Sequence, residues 1–151
     1  ASGVLFLTGP SGSPPNLQPI SLREITDGLS NTILLGEKFH RDVVFDQITP
    51  ASRSNLLMYQ WSMWAWSGGF KGAGHVFGSA AVPINSRVAS PPGSGFGPQD
   101  QRVNAWSSAH PNGANFTFCD GSIHFLVNNM NQATLVYLST RGGGETIIDS
   151  F

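Results

Sequence analysis

Ala114-Asn115-Phe116-Thr117-Phe118-Cys119-Asp120-Gly121-Ser122-Ile123-His124-Phe125-Leu126-Val127 is the stretch that decides the fold class. Two runs of alternating apolar and polar residues flank Asp120-Gly121, and an Asp-Gly pair in that setting is the strongest short hairpin signal. Reading it as a two-residue type I′ turn pairs Cys119 with Ser122, Phe118 with Ile123, Thr117 with His124 and Phe116 with Phe125. That register puts Phe116, Phe118, Ile123 and Phe125 on one face, the core face, with Cys119, Thr117 and His124 on the other. Strand side chains alternate with period two, so a one-residue slip would expose the large apolar groups.

Working outward, Asn128 or Asn129 can cap a helix over roughly 131–140, where Leu135 and Leu138 stand at i, i+3 spacing. Gly142-Gly143-Gly144 ends it, and 145–148 reads as a last strand. Upstream, Val4-Leu5-Phe6-Leu7 reads as a short strand followed by a Pro- and Gly-rich loop. Ser21-Leu22-Arg23-Glu24 has capping-box spacing and starts a short helix that Asp27-Gly28 must stop. Thr32 to Glu37 reads as a buried strand. Residues 56–66 read as a strand carrying Tyr59, Trp61, Trp64 and Trp66, with Tyr59, Trp61 and Met63 on one face and Trp64 and Trp66 on the other. Residues 67–100 are dominated by Gly, Ser and Pro and read as long irregular connection, with an edge strand near Val76-Phe77. The expectation is one α+β domain over 1–151: mostly antiparallel sheet, long loops and short helices.

Composition narrows the function classes. Charged residues make up 11% of the 151, with a net charge of -1, against about 25% charged in an average soluble domain. Nothing here attracts nucleic acid or anionic lipid, and no apolar run approaches the roughly 20 residues of a membrane helix. A neutral polar surface lacks long-range repulsion, which suits a subunit packing against copies of itself or other protein subunits. Cys119 is the single cysteine; it cannot form an intrachain disulfide, and burial is its expected state.

Three blocks carry a family resemblance. Ile25-Thr26-Asp27-Gly28-Leu29-Ser30-Asn31-Thr32-Ile33-Leu34-Leu35-Gly36-Glu37, Ser107 to Ser122 with its His110, nine residues, then Asp120-Gly121, and Leu138 to Glu145 resemble, in order, blocks of a planctomycete prepilin-like family. The resemblance implies a type II secretion pseudopilin-like protein: a pilin-like globular head on an antiparallel sheet, normally preceded by a leader and a long apolar helix that this sequence does not include. It also implies an extracytoplasmic location and a structural role in a pilus-like or secretion-associated assembly. An accessory subunit of a larger complex is the variant that follows without the helix.

Candidate chemistry is sparse. His110 and Asp120 invite a catalytic or metal reading, but Asp120 with Gly121 is explained by turn conformation, and His110 precedes Pro111, which favours an extended backbone. Some pseudopilins hold calcium, which needs several oxygen ligands; Asp27, Asn31, Glu37 and Asp120 are the candidates, and their spacing matches no EF-hand pattern. Turn formation is the competing reading for all four. Otherwise no cofactor is expected. No G-x-S-x-G, H-E-x-x-H or P-loop occurs, so no enzyme activity is expected. Trp61, Trp64 and Trp66 are interface candidates; the alternative function is an extracellular carbohydrate- or protein-binding module that uses Trp64 and Trp66 for stacking.

Overall fold

A computed structural model of the protein describes residues 3–5, 19–39, 41–52, 77–87, 102–145 and 147. Its centre is a three-stranded antiparallel sheet in the order β1 (Ile33–Gly36), β2 (Gly113–Phe118), β3 (Ile123–Val127). Two 3₁₀ turns, Leu22–Glu24 and Leu29–Asn31, lead into β1. Helix α1 (Val43–Ser52) follows β1, and helix α2 (Gln132–Leu138) follows β3. This is the small α+β fold with short helices that the residue pattern implied.

The hairpin forms between the expected strands, but one residue out of the expected register. Thr117 faces Ile123, Phe116 faces His124, and Asn115 faces Phe125. The Gly121 N–H donates to the Phe118 carbonyl at 3.0 Å and the Phe118 N–H to the Ser122 carbonyl at 2.9 Å. Gly121 alone in the turn has positive φ, +88°. The loop is therefore three residues long, a turn closed by a left-handed glycine, rather than the two-residue type I′ form. Asp-Gly serves both loops, and the choice between them shifts β3 by one.

That shift inverts β3. Phe116 and Phe118 are buried as expected, and Ala114 and Leu126 join them, whereas Ile123 is 70% exposed and Phe125 45%. His124 lies on the Phe118 side, its ring 4.8 Å from the Phe118 ring. The core comprises Ile33, Ile84, Ala114, Phe116, Phe118, Leu126, Leu135 and Leu138, with Trp106, Met130 and Ile147 packed against it. Helix α2 supplies Leu135 and Leu138, which face the sheet together because i, i+3 positions share a helix face. Its cap is Asn131, whose side chain accepts the Ala133 N–H at 2.8 Å, not Asn128 or Asn129.

Other expectations are modified. The capping box is present, with the Ser21 N–H donating to Glu24 Oε2 at 2.7 Å, on a single 3₁₀ turn. Among the described strands β1 lies at one edge of the sheet, with a bulge between Ile33 and Leu35, and Leu35 is 54% exposed rather than buried. Val4 and Leu5 lie in a bend, Phe77 is outside any strand, and Glu145 and Ile147 are not in a strand. Near Phe77 the described pairing is an isolated parallel bridge between Ser79 and Ala105. Cys119 is half-buried; burial and the Asp120 charge push its thiol up, which suppresses the reactive thiolate. The strand carrying Tyr59, Trp61, Trp64 and Trp66 lies outside the described residues.

Helix α1 was not legible as such, yet its start is well determined. Asp42 caps it, accepting the Phe45 N–H at 3.1 Å, and its other oxygen accepts from Arg102 Nε at 2.8 Å. Both side chains are 2% exposed. Arg102 also reaches Ser107 Oγ at 3.4 Å and the Phe39 carbonyl at 3.5 Å. A buried pair of this kind stabilises little relative to apolar residues, but losing one partner strands a charge. It joins α1 to the segment leading into the hairpin.

Candidate functional site

The residues singled out in the sequence fall into three clusters, each a meeting of distant blocks. In the first, Asp27 sits against the glycine loop: Oδ2 accepts the Gly143 N–H and Oδ1 the Gly144 N–H, both at 2.8 Å. Thr140 Oγ1 donates to Oδ2 at 3.3 Å, and the Thr26 N–H donates to the Arg141 carbonyl at 2.8 Å. Gly144 takes φ +72°, which turns two successive N–H groups towards one anion. Burial raises the Asp27 carboxyl, but the Gly144, Gly143 and Thr140 hydrogen bonds more than reverse this and hold it below the ordinary aspartate value. Asn31 Nδ2 donates to the Asp27 carbonyl at 3.2 Å.

The second cluster lies on the outer face of the sheet. Glu37 Oε2 accepts the Asn115 backbone N–H at 2.7 Å and its side-chain amide at 3.3 Å. His110 Nε2 lies 3.8 Å from Glu37 Oε1 and 3.4 Å from Asn115 Nδ2, and its ring meets Phe125 edge-on at 5.8 Å. The loop that carries His110 is held by Asn85, whose amide donates to the His110 and Gly113 carbonyls at 3.1 and 3.0 Å. Asn85 accepts the Ser108 N–H at 2.7 Å and adopts φ +61°, tolerated by asparagine better than by most residues. Ser108 Oγ in turn accepts the His110 N–H at 2.9 Å. Sequence reasoning missed Asn85 and Ser108, and no local pattern announces them.

The third cluster is the hairpin tip. Asp120 Oδ1 accepts from the Ser122 N–H at 2.8 Å and the Ser122 hydroxyl at 2.6 Å. These two bonds hold the Asp120 carboxyl below its ordinary value. The tip docks on the first block: Cys119 N–H donates to the Thr32 carbonyl at 2.9 Å and Asp120 N–H to the Leu29 carbonyl at 3.1 Å. His124 Nε2 lies 3.1 Å from Ser122 Oγ, the closest approach to a nucleophile–base pair among the described contacts. The Ser122 hydroxyl already donates to Asp120, so the imidazole has no proton to accept from it.

His110 and Asp120 thus stand beyond opposite ends of β2. Asp27, Glu37 and Asp120 serve separate clusters, and among the described residues no three His, Cys, Asp or Glu side chains gather as a metal shell would require. An apolar recess of about 120 Å³ is lined by Leu5, Ile33, Leu35, Phe77, Trp106 and glycines, with no titratable group in its described wall. Among the described residues, the buried Trp106 Nε1 has no hydrogen-bond partner. Lys38, largely buried, donates to the Phe77 carbonyl at 2.8 Å; burial, then the nearby Arg102 charge, pull its pKa down to about 8.

Residues 1–133 match the family model described as "Protein of unknown function (DUF1559)". The chain belongs to that family, the planctomycete-type prepilin-like group that its sequence blocks resemble. No curated protein and no solved structure matches the chain. Among the described residues no helix is long and apolar enough to cross a membrane.

Proposed function

We propose that the chain is a structural subunit of a pilus-like or type II secretion-associated extracytoplasmic assembly, and not an enzyme. The observation that carries this reading is the employment of the candidate carboxylates. Each accepts backbone N–H groups: Asp27 from the 143–144 loop, Glu37 from Asn115 of β2, and Asp120 from its own turn. Catalysis needs such groups to converge on a substrate; here they diverge into three clasps. Family membership and the low charge support the same reading, and other protein subunits are its expected partners.

The test combines turnover with ligand titration. The chain is assayed on ester, peptide and glycoside substrates, and soluble oligosaccharides are titrated while tryptophan fluorescence is followed. The expected outcome is no turnover and no saturable response. Hydrolysis lost in His110→Ala, with circular dichroism unchanged, would overturn the structural reading. Saturable quenching by a sugar, lost in Trp64→Ala, would move the chain to the class of carbohydrate-binding modules.

A further inference from the structure

Strand β3 has an edge that no described residue pairs, and its geometry is self-complementary. The Phe118–Ser122 and Asn112–Asn128 bonds fix the parity of the ladder: Ser122, His124, Leu126 and Asn128 turn their backbone groups to β2. Ile123, Phe125 and Val127 therefore turn theirs away from it. The Val127 carbonyl accepts the Met130 N–H at 3.2 Å; the other outward groups of these three residues have no described partner. The same three side chains form the outer apolar stripe, 70%, 45% and 44% exposed. Edges of this kind are normally blunted by lysine, proline or a bulge, and Ile123-His124-Phe125-Leu126-Val127 contains none of them.

We infer that β3 pairs antiparallel with β3 of a second copy about a two-fold axis through Phe125, joining two sheets into one of six strands. A two-fold at Phe125 uses all three outward-facing residues: Phe125 bonds its counterpart in both directions, each Val127 N–H meets the other copy's Ile123 carbonyl, and each Ile123 N–H meets the second lone pair of the other copy's Val127 carbonyl. A two-fold at His124 or Leu126 would leave an outward residue unused. Paired residues share a face, so the two Phe125 side chains leave the backbone as neighbours, each ring leaning over Gly113 and His110 of its own sheet, with Ile123 of each chain beside Val127 of the other. Cross-strand aromatic and β-branched pairs of this type favour association. A second copy is the occupant because the edge has no charge to select a charged peptide, and a net charge of -1 sets up little repulsion between copies. The contact is small, at the weak end of specific interfaces. This inference rests on the assembly reading and names its surface.

The experiment is amide hydrogen exchange on the 151-residue chain across a dilution series from micromolar to millimolar, with solution mass measured in parallel. Ile123, Phe125 and Val127 amides are expected to gain protection as concentration and mass rise, while His124 and Leu126, already bonded to β2, do not change. Ile123→Lys, at an exposed position, is expected to hold the chain at its monomer mass; Leu35→Lys, on the same face at the opposite edge, is expected to leave association intact. A mass that rises while the three amides stay unprotected, or that survives Ile123→Lys, overturns the edge pairing but leaves the assembly reading standing. Protection of the three amides independent of concentration also overturns it, because the edge is then covered within one chain. A monomer at all concentrations sinks the inference, and the assembly reading then rests on hetero-association alone.

Discussion

Asp27 and Lys38 show how single groups tie pH to stability. The folded pKa of Asp27 is depressed by the Gly143 and Gly144 amides, so its stabilising contribution is complete above the ordinary aspartate value. It is lost as pH falls through the folded value, because the unfolded chain then binds more protons. Urea midpoints of wild type and Asp27→Asn should differ by a constant amount near neutrality and converge in acid. Lys38 works in the opposite pH range. Its pKa falls from 10.5 to about 8, so between those values the unfolded state carries the extra proton and stability rises with pH. Below about pH 8 the ammonium is charged in both states and the full penalty of burying it remains. At about 1.4 kcal/mol per pKa unit, the gain between pH 7.5 and 10.5 is of the order of 3 kcal/mol, and Lys38→Met should abolish it. Urea midpoints at pH 7.5 and 10.5, compared between the two chains, measure that difference.

Among elements, the hairpin bears the most testable geometry. Gly121 at φ +88° cannot be replaced by a β-branched residue without strain, so Gly121→Val should lower unfolding free energy by more than about 1 kcal/mol. Asp120→Asn keeps an acceptor for the Ser122 N–H and should cost little, within about 0.5 kcal/mol. Arg102→Met would leave the buried Asp42 carboxylate without its cation, at a cost of about 3–5 kcal/mol in denaturant unfolding. The hairpin also shows where sequence reading stops. The strands, the turn glycine and the burial of Phe116 and Phe118 were legible from alternation. The loop length was not, because Asp-Gly satisfies both a two-residue and a three-residue closure. One residue of difference exchanged Leu126 for Phe125 in the core. The stop at Asp27-Gly28 and the Leu135–Leu138 face were legible for the same local reason that periodicity is. Helix α1 hid behind a short polar lead-in, although Asp42 three residues before Phe45 is an N-cap signal.

On the scale of the whole molecule, the candidate residues were legible but their partners were not. Glu37 and Asn115, or Asp27 and Gly143, are distant in sequence and meet through tertiary contacts that no local spacing encodes. The ordered blocks pointed to these positions by resemblance, and the structure shows the blocks clasping one another rather than converging on a pocket. The central claim is that such a clasped head serves in an assembly outside the cytoplasm. Its most direct test is cross-linking in intact cells that make this protein, followed by fractionation and detection of every species containing residues 1–151. The account predicts cross-linked adducts of this chain with protein, from a second copy or another subunit, in the extracytoplasmic fraction. Recovery of the chain only as an uncross-linked monomer in the cytoplasm would contradict it.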